Sequence, residues 1–230
     1  INGNIFALLK VLEYDDEYNT SIPYLVIDEA IKEKAELKLK KYSFNKTKLV
    51  IRRSKEYNIL LATAKYLITD NTFPYYFIKR KDQVYLNTWH GTPLKCLGRS
   101  DIENSISIGN VQKNFLVSDY LLFPNEYTKE TMMSDYMVER LYNGKAVTID
   151  YPRNDALFHN EMHDEIIDKY DLAGKRVLAY MPTWRGIGRN VDMDKQLSDT
   201  LKLLTSLEAS LKNDEMLYVN FHFLIDDKLD

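Results

Sequence analysis

Apolar runs of strand length alternate along this chain with segments whose apolar residues recur at helical spacing. Ile22–Asp28, Lys48–Ile51, Lys65–Asp70, Val84–Trp89, Tyr120–Pro124 and Ala146–Pro152 read as strands. They are near-continuous in Val, Ile, Leu and Tyr instead of strictly alternating, the pattern of strands buried on both faces. Between them, Asn4–Tyr14, Glu29–Lys40, Lys55–Ala64 and Glu126–Leu141 carry the helical period, with Asn125 placed to cap the last and Gly144 to follow its end. Strand–helix alternation with short turns predicts a parallel sheet flanked by helices, a Rossmann-like α/β unit.

After Pro152 the texture changes. His159–Tyr170 is acidic and helical, and predicts a connection between domains. The alternation then restarts with a strand over Arg176–Met181, a long helix over Met193–Leu211 and a strand over Met216–Leu224. The expected organisation is an N-terminal Rossmann-like domain over residues 1–165 and the incomplete start of a second α/β domain over 166–230. Two strands and a helix cannot cover their own apolar faces. That shortfall, the opening on Ile1 and the charged ending at Asp226–Asp230 lead to the expectation of a fragment.

Composition narrows the class. With 230 residues, 45% of them apolar and 28% charged, the chain is globular and neither collagen-like nor disordered. The single cysteine, Cys96, excludes an internal disulfide framework and fits a reducing compartment. No apolar run reaches the roughly 18 residues of a membrane-spanning helix, and no signal segment opens the chain. The net charge of −3 hides an asymmetry: ten basic residues between Lys32 and Lys55 face only Glu33 and Glu36, a local balance of +8 that leaves −11 elsewhere. Such a patch reads either as a face for an anionic polymer, nucleic acid or an anionic membrane surface, or as a solvated helix face.

The sharpest chemical motif is Trp89-His90-Gly91-Thr92-Pro93-Leu94-Lys95, directly after a predicted strand. Parallel α/β sheets bind ligands beyond the carboxyl ends of their strands, so His90 stands where a catalytic residue would. An imidazole titrates near neutral pH, which suits a general base. Gly91 allows close backbone approach to a ligand, and Thr92 with Pro93 is expected to open a helix able to receive an anion. Two other strand ends carry an arginine, Arg153 in Tyr151-Pro152-Arg153-Asn154-Asp155 and Arg185 in Pro182-Thr183-Trp184-Arg185-Gly186. A guanidinium there can fork onto phosphate. Together these ends predict a cleft between two domains that takes a phosphorylated substrate.

Other candidates are weaker. His222, inside an apolar strand, reads alone as a core or edge histidine. His159 and His163 have the spacing of a zinc pair but lack the accompanying glutamate motif and a third ligand, so no metal is expected. Asp192-Met193-Asp194 leads into a helix and is better explained as capping. No glycine-rich phosphate loop is present.

The runs YLNTWHGTPLKCLG, NFLVSDYLLFPNEYT, YPRNDALF and RVLAYMPTWRG, in this order, resemble the CDP-glycerol glycerophosphotransferases, the teichoic acid polymerases of Gram-positive bacteria. The early NGNIFALLKVL is also similar to that family, so the resemblance covers nearly the whole chain. It implies a GT-B fold of two Rossmann-like domains, the first on the acceptor side and the second, here only begun, on the nucleotide-donor side. It further implies transfer of glycerol phosphate or ribitol phosphate from a CDP-polyol donor to the terminal hydroxyl of a lipid-linked polyol-phosphate acceptor. CMP is released, no cofactor is needed, and the protein sits peripherally on the inner face of the cell membrane.

By the same resemblance His90 is the general base on the acceptor hydroxyl and His222 contacts the donor phosphates. Gly91, Thr92 and Lys95 accompany His90 in the motif, and Arg153 and Arg185 line the cleft. The family's C-terminal part, with its phosphate-binding turn and cytidine pocket, has no counterpart here, so little activity is expected of these 230 residues alone. Two other readings stay open: a GT-B glycosyltransferase of capsule or wall glycan, and a non-catalytic module that binds an anionic polymer through the basic patch.

Overall fold

A computed structural model describes residues 3–101, 108–159, 163–182 and 193–221. The chain divides into two compact units, Ile1–Phe158 and His159–Asp230. The division falls ahead of the boundary expected at 165 for a local reason. A 3₁₀ turn over Pro152–Leu157 packs on the first helix, so the chain stays with unit one through the YPRND motif and leaves it directly afterwards.

In unit one the order is α1 (Gly3–Tyr14), β1 (Tyr24–Ile27), α2 (Lys32–Lys41), β2 (Lys48–Ile51), α3 (Lys55–Thr63), β3 (Tyr66–Thr69), β4 (Val84–Asn87), α4 (Ile108–Val117), β5 (Tyr120–Phe123), α5 (Glu126–Asp135) and β6 (Lys145–Thr148). β1 and β2 pair in parallel, and β3-β4-β5-β6 form a second, wholly parallel sheet in sequence order. Every carboxyl end of the four-stranded sheet therefore lies on one edge, the edge that carries ligands in α/β folds. Unit one thus has a mixed α/β, Rossmann-like architecture built on parallel sheets.

The core follows from the strand composition. Leu121 and Phe123 of β5 pack with Phe115 of α4 and Met132 of α5, all at most 1% exposed. Trp89, just beyond β4, drives its indole into this cluster, 5.4 Å from the Phe115 ring and at right angles to it within 11° (79°). The residue at the most exposed-looking motif of the sequence is thus anchored in the core.

Capping explains the helix starts and corrects the helix ends. Ser54 accepts from the Tyr57 amide at 3.0 Å and Asn125 from the Thr128 amide at 2.8 Å, so Asn125 caps α5 as expected. α5 does not run to Leu141, however. Met137 turns left-handed at φ +56°, its N–H donates to Ser134 O, and the Val138 N–H donates to Met133 O, the paired bonds of a Schellman stop. Gly144 plays no part in that stop; a Cβ there would come within 2.6 Å of the Ser118 carbonyl, so it serves close packing instead. α4 joins the elements the apolar pattern predicted, and β6 ends at Thr148, short of the expected Pro152.

Unit two contains α6 (His163–Lys169), β7 (Arg176–Tyr180), α7 (Met193–Glu208) and β8 (Glu215–Val219). β7 and β8 pair in parallel, Arg176 opposite Glu215 through Tyr180 opposite Val219. β8 stops at Val219, and the rest of the strand expected through Leu224 lies partly outside the described residues. Val177 and Tyr218 remain more than 40% exposed on this small sheet.

Candidate active site

Three strand ends and one helix start converge in unit one. β3 ends into Asp70, β4 into Thr88, Trp89 and His90, and β6 into Tyr151 and Arg153, while α1 brings Asn4 from beneath. His90 is exposed. Its Nδ1 lies 2.6 Å from the backbone carbonyl of Asp70. A carbonyl oxygen can only accept, so Nδ1 carries the hydrogen, and Nε2 of the neutral ring is left as the basic nitrogen. The ring also stacks on the Trp89 indole at 4.3 Å between centroids. One hydrogen bond and one buried ring fix its direction.

Arg153 closes the group. Its Nη1 donates to the His90 carbonyl at 2.9 Å, and its guanidinium lies 4.8 Å over the Tyr151 ring. The side chain is exposed, so the remaining donors of the fork face solvent-accessible space. Burial raises the pKa of the Asp70 carboxyl, opposed by the positive charges of His90 and Arg153 and by a backbone hydrogen bond. Burial likewise pushes the Tyr151 phenol up, against Arg153 and the Gly91 backbone. Tyr151 is 3% exposed and its hydroxyl has no hydrogen-bond partner of good geometry among the described residues.

The four residues after His90 form no helix or strand. A Cβ on Gly91 would meet nothing within 4 Å, so the protein's own packing does not demand glycine there and space stands open beside it. No helix starts at Thr92 and Pro93, contrary to expectation. The Thr92 hydroxyl accepts from Thr128 Oγ1 at 3.2 Å and the Pro93 carbonyl from Tyr127 at 3.2 Å, which ties the segment sideways to α5. Lys95 is exposed in the same stretch. The structure thus brings His90, Gly91, Thr92 and Arg153 together. Arg185 and His222 lie outside the described residues, as do Trp184 and Asp192. His159 and His163 belong to unit two, and the described residues contain no cluster of three metal-binding side chains.

Sequence reading missed Asp70, Tyr151 and Asn4 as parts of this site. Asp70 and Tyr151 were legible in principle, since each ends or follows a parallel strand on the same sheet edge. Asn4 carried a weaker signal, an amide on the otherwise apolar face of α1. It is 1% exposed and reaches Thr88, Trp89 and Arg153.

The chain resembles known proteins in sequence and in fold. The profile of the family described as CDP-glycerol:poly(glycerophosphate) glycerophosphotransferase matches residues 1–230. A teichoic acid poly(glycerol phosphate) polymerase of Bacillus spizizenii is 30% identical over 181 residues, covering 74% of this chain and 44% of that protein. One from Staphylococcus epidermidis is 31% identical over 194 residues, covering 79% of this chain and 26% of its own length. The chain thus spans less than half of either relative. A solved structure of the wall teichoic acid polymerase TagF superimposes with a TM-score of 0.64 at 22% identity, covering 99% of this chain and 63% of that one, a likeness of fold.

Proposed function

This chain belongs to the CDP-glycerol:poly(glycerophosphate) glycerophosphotransferase family, and from that membership we propose that it transfers glycerol phosphate from CDP-glycerol to the terminal hydroxyl of a teichoic-acid-type polymer. The observation that carries the reading is the Nδ1–H bond from His90 to the Asp70 carbonyl at 2.6 Å, which leaves Nε2 as a directed base at an exposed strand end. In the proposed step Nε2 takes the proton of the acceptor hydroxyl. The oxygen forms a bond to the β-phosphorus of the donor, the bond from that phosphorus to the bridging oxygen breaks, and CMP leaves with the electron pair. Arg153, beside the base, offers its free guanidinium edge to the negative charge of the transferring group. Phosphoryl-type transfer depends on positioning and charge neutralisation, which is what this pair supplies.

Unit one is on this reading the acceptor side and unit two the start of the donor side, with Arg185 and His222 contributing to the donor phosphates. Ribitol phosphate is the other donor group in the same chemistry: a teichoic acid ribitol-phosphate primase of Bacillus spizizenii is 26% identical over 162 residues. The deciding experiment supplies CDP-glycerol, CDP-ribitol and UDP-sugars with a lipid-linked acceptor and measures nucleotide release. CMP released from a CDP-polyol supports the proposal; UDP release alone transfers the protein to the glycosyltransferase reading, and polymer binding without any release makes it a binding module.

The lipid end of the acceptor implies work at a membrane surface. Among the described residues no helix is long and apolar enough to cross a membrane. What supports peripheral attachment is α2, whose Lys32, Lys34, Lys40 and Lys41 are exposed around Leu37, itself 69% exposed. Not all of the basic run belongs to that face: Arg52 pairs with Asp28 at 3.0 Å and the Lys46 ammonium is buried. Burial and then the charges of Lys34, Lys41 and Lys10 lower the pKa of Lys38.

A further inference from the structure

Trp89 occupies an unusual conformation. Its φ of +50° is left-handed, a region that large non-glycine side chains avoid and that persists only where the surroundings hold it. The surroundings do so at both ends of the residue. The Trp89 N–H donates to Asn87 Oδ1 at 2.9 Å, and its carbonyl accepts from Asn4 Nδ2 at 3.0 Å and from Thr88 Oγ1 at 3.1 Å. That carbonyl belongs to the peptide that delivers His90. Its orientation sets where the imidazole begins.

Asn4 is not simply capping its own helix. It lies within α1, and its side chain reaches out of that helix: Nδ2 donates to Thr88 Oγ1 at 3.3 Å and to Trp89 O at 3.0 Å, with Oδ1 accepting from the Arg153 N–H at 3.4 Å. A single amide, 1% exposed, therefore grips the backbone on the His90 side with its donor and the backbone of Arg153 with its acceptor, across sequence separations of 85 and 149 residues. An amide offers two donors on its nitrogen and an acceptor on its oxygen at once; serine has a single donor on a shorter arm, an ionised aspartate lacks the donor and leucine lacks both.

We propose that Asn4 is a positioning residue of the transfer reaction: it locks the left-handed Trp89 turn and fixes the spacing between the His90 base and the Arg153 guanidinium. The inference rests on the proposed role of His90. It predicts that losing the amide leaves the site's groups present but misplaced, a defect of turnover more than of donor binding, because small misplacements of a reacting group are costly.

The test uses the full chain with Asn4→Ala and the milder Asn4→Ser, which keeps one donor. Each variant is first melted, and rates are expressed per folded molecule. Expected are a kcat for CMP release reduced roughly ten- to a hundredfold in Asn4→Ala, a KM for CDP-glycerol within about twofold, and partial recovery in Asn4→Ser. Imidazole ¹⁵N shifts, with the His90 signal assigned by its loss in His90→Gln, provide a readout that does not need turnover. Wild type should show the Nδ1–H tautomer and Asn4→Ala a mixture of both. If folded Asn4→Ala keeps the wild-type kcat and the His90 tautomer, the proposal is overturned. It is also overturned if neither variant folds, since Asn4 is then a stability residue. Failure of the wild type to release CMP, with the tautomer still shifting in Asn4→Ala, would sink the functional reading while leaving the positioning role in place.

Discussion

The guanidinium of Arg153 donates to the backbone carbonyl of His90 at 2.9 Å, joining two motifs 63 residues apart. The contact is to the main chain of His90 and leaves its ring free. Arg153 can therefore hold the base in place and still present charge beside it. The same guanidinium lies over the Tyr151 ring, so it is held both by its own strand end and by another.

Replacing Arg153 should separate these roles. Arg153→Ala loses both the bond to His90 and the facing charge, and kcat/KM for CDP-glycerol should fall roughly ten- to a hundredfold, the worth of a charged hydrogen bond of about 1.5–3 kcal/mol. Arg153→Lys should recover little, because an ammonium cannot satisfy the carbonyl and face a phosphate with a planar fork. Steady-state kinetics on both variants check this. Full recovery by lysine would reduce Arg153 to a point charge.

His90 itself is exposed, so its removal should spare the fold. His90→Gln keeps a polar group near Asp70 but no titratable base. CMP release should drop by about 10²–10⁴-fold, the usual contribution of a positioned base, with the melting temperature within a degree or two of wild type. A variant that retains the wild-type rate would remove His90 from the chemistry.

The alternation of apolar runs and helical periods made the parallel sheet and most of its elements legible, and the position of His90 after a strand made it a candidate. The helix ends were not legible. α2, α5 and α6 close through Ser43, Met137 and Asp171, each with a φ near +50°, where the familiar signal is glycine. α4 was missed because Gly109, Asn110, Gln112 and Asn114 interrupt its apolar pattern. Asn114 is nonetheless buried, accepting from the Phe73 amide at 2.8 Å and the Tyr85 hydroxyl at 3.0 Å. Nor could the site's lining be read: Asn4 meets Arg153 only through tertiary folding, which no local pattern encodes.

Met137 gives the helix-end argument a direct test. Its left-handed φ of +56° costs a non-glycine residue about 1–2 kcal/mol. The side chain is 43% exposed, so little packing opposes its removal. Met137→Gly should stabilise unit one by about 0.5–1 kcal/mol after the greater unfolded-state freedom of glycine is counted. Denaturant unfolding measures it; a destabilisation would mean that the methionine side chain packs more than its exposure indicates.

Charge on α2 should govern attachment to anionic lipid. Replacing Lys32, Lys34, Lys40 and Lys41 together by Gln removes about 1 kcal/mol of surface attraction per residue. Sedimentation with phosphatidylglycerol vesicles at low salt should show at least a hundredfold weaker partition, and wild-type binding should weaken steeply with added salt. An unchanged affinity would return this helix to the role of a solvated face.

Asp70 links stability and activity with opposite signs. Its folded pKa is raised, chiefly by burial, so the site favours the neutral acid. The stability from that preference is fully present below the ordinary carboxyl pKa of about 3.9 and is lost as pH rises through the raised value. Above that window the ionised carboxylate is a burden on the fold. Asp70→Asn keeps the shape without the charge, so it should melt higher than wild type at pH 7, with the difference shrinking toward zero as pH approaches about 4. Activity should move the other way. When His90 takes a proton, the new positive charge is one that favours the ionised Asp70 carboxylate; without that carboxylate kcat should fall roughly tenfold or more. Thermal melts from pH 3.5 to 7.5 together with CMP-release rates test both halves. A variant less stable than wild type at pH 7, with a gap that widens as pH rises, would reverse the sign and place the carboxylate among the groups that hold the fold together.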